Sequence, residues 1–218
     1  VKVHNDRYPF YTSSSLNMKK HFNQFAHWLK EKYLHNGSKL IEVGSNDGTL
    51  LENFKNTNIE AVGFEPSITI AELANKKNIK TMSKFFNTQN LDEIKNFHSS
   101  VDVICSANVI AHIPDLKDVI KCVDKLLSSK GLLIFEEPYL GSMFSKVSYD
   151  QIYDEHIFMF SINSIKKIFD LFDFELIDVL PQVTHGGSMR YVIARKNKHK
   201  KSEIVSKFID EEQSKKLD

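Results

Sequence analysis

Apolar positions along this chain follow two periods. Continuous runs at Leu40–Val43, Ala61–Phe64, Val101–Ala107 and Leu132–Phe135 have the length and flanks of buried strands. Between them apolar residues recur at helical spacing over Leu16–Tyr33, Ile68–Lys77 and Leu116–Leu127, with a weaker pattern at Leu91–Phe97 and a short strand at Ile79–Met82. Ser13–Ser15 offers an N-cap to the first helix, and Gly131 offers a boundary after the helix that starts at Leu116. Strands separated by helices predict an α/β domain with a mostly parallel, doubly wound sheet. From Tyr139 to Phe160 this rhythm breaks into an aromatic, acid-rich insertion, and long loops at a sheet edge usually carry function. A helix at Ser161–Phe172 follows. Then come strands at Phe174–Leu180 and Met189–Arg195 and a lysine-rich linker leading to a charged amphipathic helix.

The stretch from Leu40 to Leu51 leaves its strand pattern in a Gly-bounded loop and resumes at helical spacing, which predicts strand, tight turn, helix. Ligands bind at the carboxyl edge of such sheets, and Gly44 and Gly48 let the backbone approach one closely. Asn46 stands where a dinucleotide fingerprint needs its second glycine, and Thr49 follows Gly48 where a P-loop needs lysine. Glu65 ends the next apolar run. A carboxylate there is either a solvated strand end or a partner for two ribose hydroxyls, and the spacing from the Gly loop favours the second. The pattern resembles the class I S-adenosylmethionine (SAM)-dependent methyltransferases.

With 218 residues the chain fits one well-packed domain plus an end segment. A net charge of +1 lacks the basic footprint of a nucleic-acid binder and points to a small-molecule substrate. Apolar runs are strand-sized, against the ~20 residues a membrane helix needs, and no signal peptide opens the chain. A soluble, cytoplasmic protein is expected. Cys105 and Cys122, each in an apolar segment, are expected to be buried free thiols. The chain opens on Val1 and reads as a piece of a longer polypeptide.

Candidate chemistry concentrates in Ile152-Tyr153-Asp154-Glu155-His156. A carboxylate beside a histidine can poise it as a base near neutral pH. Consecutive residues project in different directions and no Cys or His cluster adds ligands, so no metal is expected. A helix cap or hydrogen-bonded loop explains the segment alone equally well. Five further strings change that balance: Glu42–Leu51, Gly63-Phe64-Glu65-Pro66-Ser67, the stretch Ala107–Leu116 containing Asn108 and His112, Phe135-Glu136-Glu137-Pro138-Tyr139-Leu140, and Gly186-Gly187-Ser188-Met189-Arg190. In this order, together with Ile152–His156, they resemble the deoxysugar C-methyltransferases, which methylate a ring carbon of a nucleotide-linked keto-sugar.

That resemblance implies a Rossmann-like class I methyltransferase fold with the last strand antiparallel, SAM as cofactor and a nucleotide-linked keto-sugar as substrate. It divides the chain into an N-terminal lid and helix (1–38), a SAM-binding methyltransferase domain (39–196), and a linker with the start of a C-terminal helix or domain (197–218). It implies His156 as the base that generates an enolate, with Glu155 orienting it, and Tyr153, His112, Tyr8 and Tyr11 hydrogen-bonding the sugar or the enolate oxygen. His185 is a substrate-side candidate, although a plain turn also explains its loop. Cofactor contacts fall to Glu42, Gly44, Asn46, Asp47 and Gly48, to Glu65 at the ribose, to Asn108 at the methionine part, and to Phe86 beside the adenine. Paired Phe85 and Phe86 are otherwise core residues. The family typically carries an N-terminal zinc module of paired cysteines, and this chain has no Cys-x-x-Cys. Two other functions stay open: an O- or N-methyltransferase acting on another small molecule, and a SAM-binding module without turnover.

Overall fold

The computed structural model describes residues 11–217. Among these, seven strands form one sheet: β1 (Lys39–Val43), β2 (Glu60–Phe64), β3 (Thr81–Met82), β4 (Val101–Ala107), β5 (Leu127–Pro138), β6 (Phe174–Gln182) and β7 (Ser188–Arg195). Their order is β3-β2-β1-β4-β5-β7-β6. β2 is parallel to β1 and β3, whereas β7 is antiparallel to β5 and β6. The Rossmann-like α/β sheet with its last strand antiparallel is thus the fold the chain adopts. Pro181 lies in β6, the edge strand, the place in a sheet that tolerates a residue without an N–H.

Two compact units divide the chain. The first takes the described residues up to Cys105 with Lys121–Ser128, and the second takes Ser106–Ile120 and the residues from Ser129 onward. In the first unit, helix α1 (Leu16–Lys32) starts where the sequence predicts, with Ser15 Oγ accepting from the Met18 N–H. Its Phe22, Phe25, Ala26 and Leu29 form one buried stripe at spacings of three and four. The parallel register pairs Val43 with Phe64, so the loop after β1 and Glu65 after β2 lie side by side. Gly44 and Ser45 N–H groups both donate to the Phe64 carbonyl. Close approach here requires Gly63, where a Cβ would lie 2.7 Å from Ser45 Cβ and 3.1 Å from Leu51 Cδ1. Helix α2 (Ile68–Lys76) follows, buried through Ile70, Ala71 and Ala74.

Several elements differ from the sequence expectation. After the Gly loop the chain makes a short 3₁₀ turn, Leu51–Phe54, rather than a full helix. The Asn53 side chain bonds the Thr49 and Leu50 carbonyls, acceptors that an α-helix would reserve for its own N–H groups. The weak helix expected at Leu91–Phe97 is 3₁₀ turns over Thr88–Phe97, broken by non-helical backbone at Ile94. Gly131 does not end a helix: α3 (Leu116–Leu126) passes directly into β5. Gly131 is absent from the glycines of positive φ, so it lacks the left-handed geometry of a helix terminator.

The second unit gives the insertion after β5 its own structure, α4 (Leu140–Lys146) and a 3₁₀ turn at Tyr149–Gln151. Helix α5 (Ile162–Asp170) begins with a reciprocal Ser161–Ser164 capping box. Glu212 of α6 (Glu203–Ser214) also accepts from the Ile162 and Asn163 N–H groups at 2.6 and 2.9 Å. The charged terminal helix is therefore docked through a buried carboxylate at a helix N-terminus. Cys105 in β4 and Cys122 in α3 are buried thiols that form no disulfide, as expected. Among the described residues no helix is long and apolar enough to cross a membrane.

Candidate active site

Within the first unit the loop after β1 turns through three left-handed residues, Gly44 (φ 68°), Asn46 (φ 48°) and Gly48 (φ 80°). Glu65 spans it: Oε2 accepts from the Asn46 N–H at 3.1 Å and Oε1 from the Ser67 N–H at 2.9 Å. Burial raises the Glu65 pKa, and those two N–H groups offset part of the rise. Asn46 Oδ1 accepts from the Thr12 N–H at 2.9 Å and from the Asp47 N–H. Asp47 is held by Thr49 Oγ1 at 2.7 Å, by the Ser13 N–H, and by Lys77, whose Nζ donates to the Asp47 carbonyl at 3.0 Å. Burial alone would raise its pKa, but the Ser13 and Thr49 hydrogen bonds and the Lys77 charge outweigh it and hold the carboxyl below its ordinary value. The side chains of Asn46 and Asp47 therefore tie the segment before α1 to the loop. The loop's backbone is what they shape.

Glu42, at the end of β1, is buried. Burial, then repulsion from Glu65 and Asp47, pushes it well above the usual carboxylate range. Its Oε2 has no hydrogen-bond partner among the described residues. Phe86 is buried and packs edge-on to Phe64 at 5.2 Å between ring centroids, while Phe85 is exposed. Tyr11 lies at the start of the 3₁₀ turn Thr12–Ser14 and is partly exposed. Tyr8 lies outside the described residues.

Within the second unit Asn108 follows β4 in left-handed backbone (φ 58°), and its N–H donates to the Glu136 carbonyl at 2.8 Å. Its Oδ1 is shielded and has no partner among the described residues. The next residues form a turn over Glu137, whose Oε1 accepts from the Val109 and Ile110 N–H groups at 3.0 and 2.6 Å. Burial pushes Glu137 up to about 8 despite these donors, with Glu136 adding repulsion. His112 Nδ1 donates to the Glu155 carbonyl at 2.8 Å, and its ring lies 4.9 Å from that of His156. His156 Nδ1 lies 2.8 Å from the Gln151 carbonyl, which can only accept, so Nδ1 carries a proton and in the neutral imidazole Nε2 carries the lone pair. The Tyr153 phenol donates to that Nε2 at 3.0 Å. Burial, then Glu155 and Glu137, raises the Tyr153 pKa, so it remains a phenol. His185 is exposed with φ 50° and shares a shallow depression with Pro138, Tyr139, Met143 and Gln151. Among the described residues no group of three or more His, Cys, Asp or Glu could hold a metal ion.

A pH dependence follows from Glu137. Between about 4.5 and 8 the folded chain holds a proton there that the unfolded chain has released, so stability falls as pH rises through this window. Glu42 and Glu65, also raised, act in the same direction. Urea unfolding is expected to show a lower midpoint at pH 8.5 than at pH 5.5. The limiting slope is about 1.4 kcal/mol per pH unit for one such group, and Glu137→Gln should flatten it.

The fold thus brings Tyr153, His156, His112 and the Glu155 backbone together, and it groups Glu42, Gly44, Asn46, Asp47, Gly48 and Glu65 around one loop. Glu137 and the buried Glu136–Arg190 pair escaped the sequence reading, although two carboxylates closing an apolar strand demand buried partners.

A mostly parallel seven-stranded sheet with β7 antiparallel, and a glycine loop after β1, define a class I SAM-dependent methyltransferase domain. A family model described as a methyltransferase domain matches residues 17–179, and the chain belongs to that family. It is 32% identical over 156 residues to the C-methyltransferase NovU of Streptomyces niveus, covering 72% of this chain and 37% of that protein. The chain thus spans little more than a third of that relative's length. Among solved structures it is similar to an S-adenosylmethionine-dependent methyltransferase from Clostridium acetobutylicum (TM-score 0.63, 14% identity, covering 81% of this chain and 92% of that one). Magnesium protoporphyrin IX methyltransferase from Synechocystis with bound SAH has a TM-score of 0.61 at 15% identity, covering 82% and 83%.

Proposed function

We propose that this chain methylates the carbon next to a carbonyl in a nucleotide-linked keto-deoxysugar, with His156 as the base. The observation that carries the reading is the fixed tautomer of His156, with Nδ1–H on the Gln151 carbonyl and a basic Nε2 under the Tyr153 phenol. The name of the Streptomyces relative, a C-methyltransferase, supports carbon as the acceptor.

The donor residues fit SAM. Gly44 and Gly48 leave backbone open to close approach, Glu65 stands at the strand end suited to ribose, and the shielded Glu42 Oε2 in the first unit and Asn108 Oδ1 in the second each lack a hydrogen-bond partner among the described residues. Asn46 and Asp47 shape the loop, and Phe86 backs the adenine side. Bound SAM supplies an electrophilic methyl on a sulfonium that leaves as a thioether. His156 Nε2 would take the proton from the acidified carbon, leaving the C–H electrons as an enolate whose carbon would accept the methyl that bound SAM supplies. The Tyr153 phenol, which occupies the Nε2 lone pair in the free protein, turns to the substrate carbonyl as the sugar binds, which frees Nε2 and leaves the phenol on the enolate oxygen. His112, its Nδ1 proton given to the Glu155 carbonyl, offers Nε2 as an acceptor to a sugar hydroxyl. Glu155 orients the segment, and Tyr8, Tyr11 and His185 contact the sugar. Residues 39–196 form the methyltransferase domain, with a lid and helix before it and a linker and helix after it.

Incubating the protein with a keto-sugar nucleotide in heavy water tests the reading. Exchange of one ring proton without SAM is expected; calorimetry should show binding of SAH in preference to NADH. No exchange would point to oxygen or nitrogen as the acceptor, and a preference for NADH would overturn the cofactor.

A further inference from the structure

We infer that Glu137 is a positioning residue that holds the Tyr153–His156 segment in place through the turn at 109–112; this rests on the reading of His156 as the base. Glu137 is fully buried at the end of β5 and touches neither Tyr153 nor His156 by hydrogen bond. Its Oε1 instead gathers the Val109 and Ile110 N–H groups, and the Ala111 N–H faces it as well. Two consecutive N–H groups bonded to one carboxyl oxygen, with the Ala111 N–H beside them, fix the turn's orientation as a side-chain cap fixes a helix start.

What the turn presents on its other side is the acid–base segment's attachment. The Ala111 carbonyl accepts from the Ile157 N–H at 3.0 Å and the Phe158 N–H at 3.2 Å. His112 Nδ1 donates to the Glu155 carbonyl at 2.8 Å. These three bonds bracket Glu155 and His156, in a stretch where Ile152, Tyr153 and Ile157 are exposed and supply little burial of their own. The order of His156 therefore depends on polar contacts to a turn that Glu137 sets. Asn108, just before this turn, is in left-handed backbone and donates its N–H to the neighbouring Glu136 carbonyl, so adjacent residues of β5 hold the chain from 108 to 110.

Three variants test this. Glu137→Ala removes the acceptor, Glu137→Asp withdraws it by one methylene, and Glu137→Gln keeps an acceptor oxygen in place. Amide exchange at Ile157 and Phe158 and the imidazole nitrogen signals of His156 and His112 are read by NMR, and SAH affinity by calorimetry. Glu137→Ala, or Glu137→Asp where the alanine variant does not fold, is expected to lose at least tenfold protection at both amides and to broaden the His156 Nδ1–H signal. Glu137→Gln restores both, and SAH affinity stays within twofold in all. Parental protection and imidazole signals in a folded Glu137→Ala protein, or equal behaviour of Glu137→Asp and Glu137→Gln, would overturn the inference. These readouts need no sugar, so absence of ring-proton exchange in the parent sinks the carbon-methylation reading alone.

Discussion

The His156→Ala variant is expected to exchange the ring proton of a keto-sugar nucleotide about 10²–10⁴-fold more slowly than the parent, the range that a positioned general base supplies. SAH binding should stay within twofold, because the His156 imidazole bonds to the Gln151 carbonyl and the Tyr153 phenol, whereas the loop after β1 is held by Thr12, Ser13 and Thr49. Stability should change little. His156 is half-buried, and its two hydrogen bonds go to the Gln151 carbonyl and the partly exposed Tyr153 phenol, so its removal strands no deeply buried group. The readout separates base from scaffold: a general loss of folding would lower exchange and SAH affinity together, whereas loss of the base lowers exchange alone. Parental exchange rates in a folded His156→Ala protein would assign proton removal to a different group.

The parts of this fold legible in the sequence are those fixed by local chemistry. Gly44 and Gly48 stand where the backbone is left-handed, and the apolar runs around them became strands because nearly every residue in them is buried. Ser15 capped the helix that its position announced, and the helix expected from Ser161 starts there under a Ser161–Ser164 capping box. Spacing failed where two geometries share it. Leu50, Leu51 and Phe54 fit an α-helix or a 3₁₀ turn equally, and the Asn53 side chain decided between them.

The candidate site was legible as a list of residues and illegible as an arrangement. Tyr153 and His156 meet because they are three apart in a turn, a local fact. Nothing local predicts that Asn46 and Asp47 spend their side chains on Thr12 and Ser13, 34 residues away, or that Glu137 reaches back to Val109 and Ile110. Such partners are chosen by strand order, and strand order is set by burial across the whole sheet.

The same reasoning makes Arg190 the residue whose loss should cost the most stability. It faces Glu136 across the antiparallel β5–β7 register, with Nε 2.7 Å and Nη2 2.5 Å from Oε1, and the two side chains are only 6% and 1% exposed. Replacing Arg190 by Met removes the cation and leaves a carboxylate that water cannot reach, which costs about 3–5 kcal/mol. Lysine should rescue only in part, since an ammonium cannot reproduce the planar two-nitrogen contact. Part of the deficit should be recovered as pH falls, because a buried carboxylate deprived of its cation takes up a proton rather than stay charged. The double variant Glu136→Leu with Arg190→Met is expected to regain most of the stability lost by Arg190→Met alone, as paired removal leaves no buried charge. Denaturant unfolding of the two single variants and the double one forms a closed cycle. Additive losses would show that the pair acts as two independent packing elements, while strong recovery in the double variant would show that burying one charge without the other is what destabilises β5 against β7.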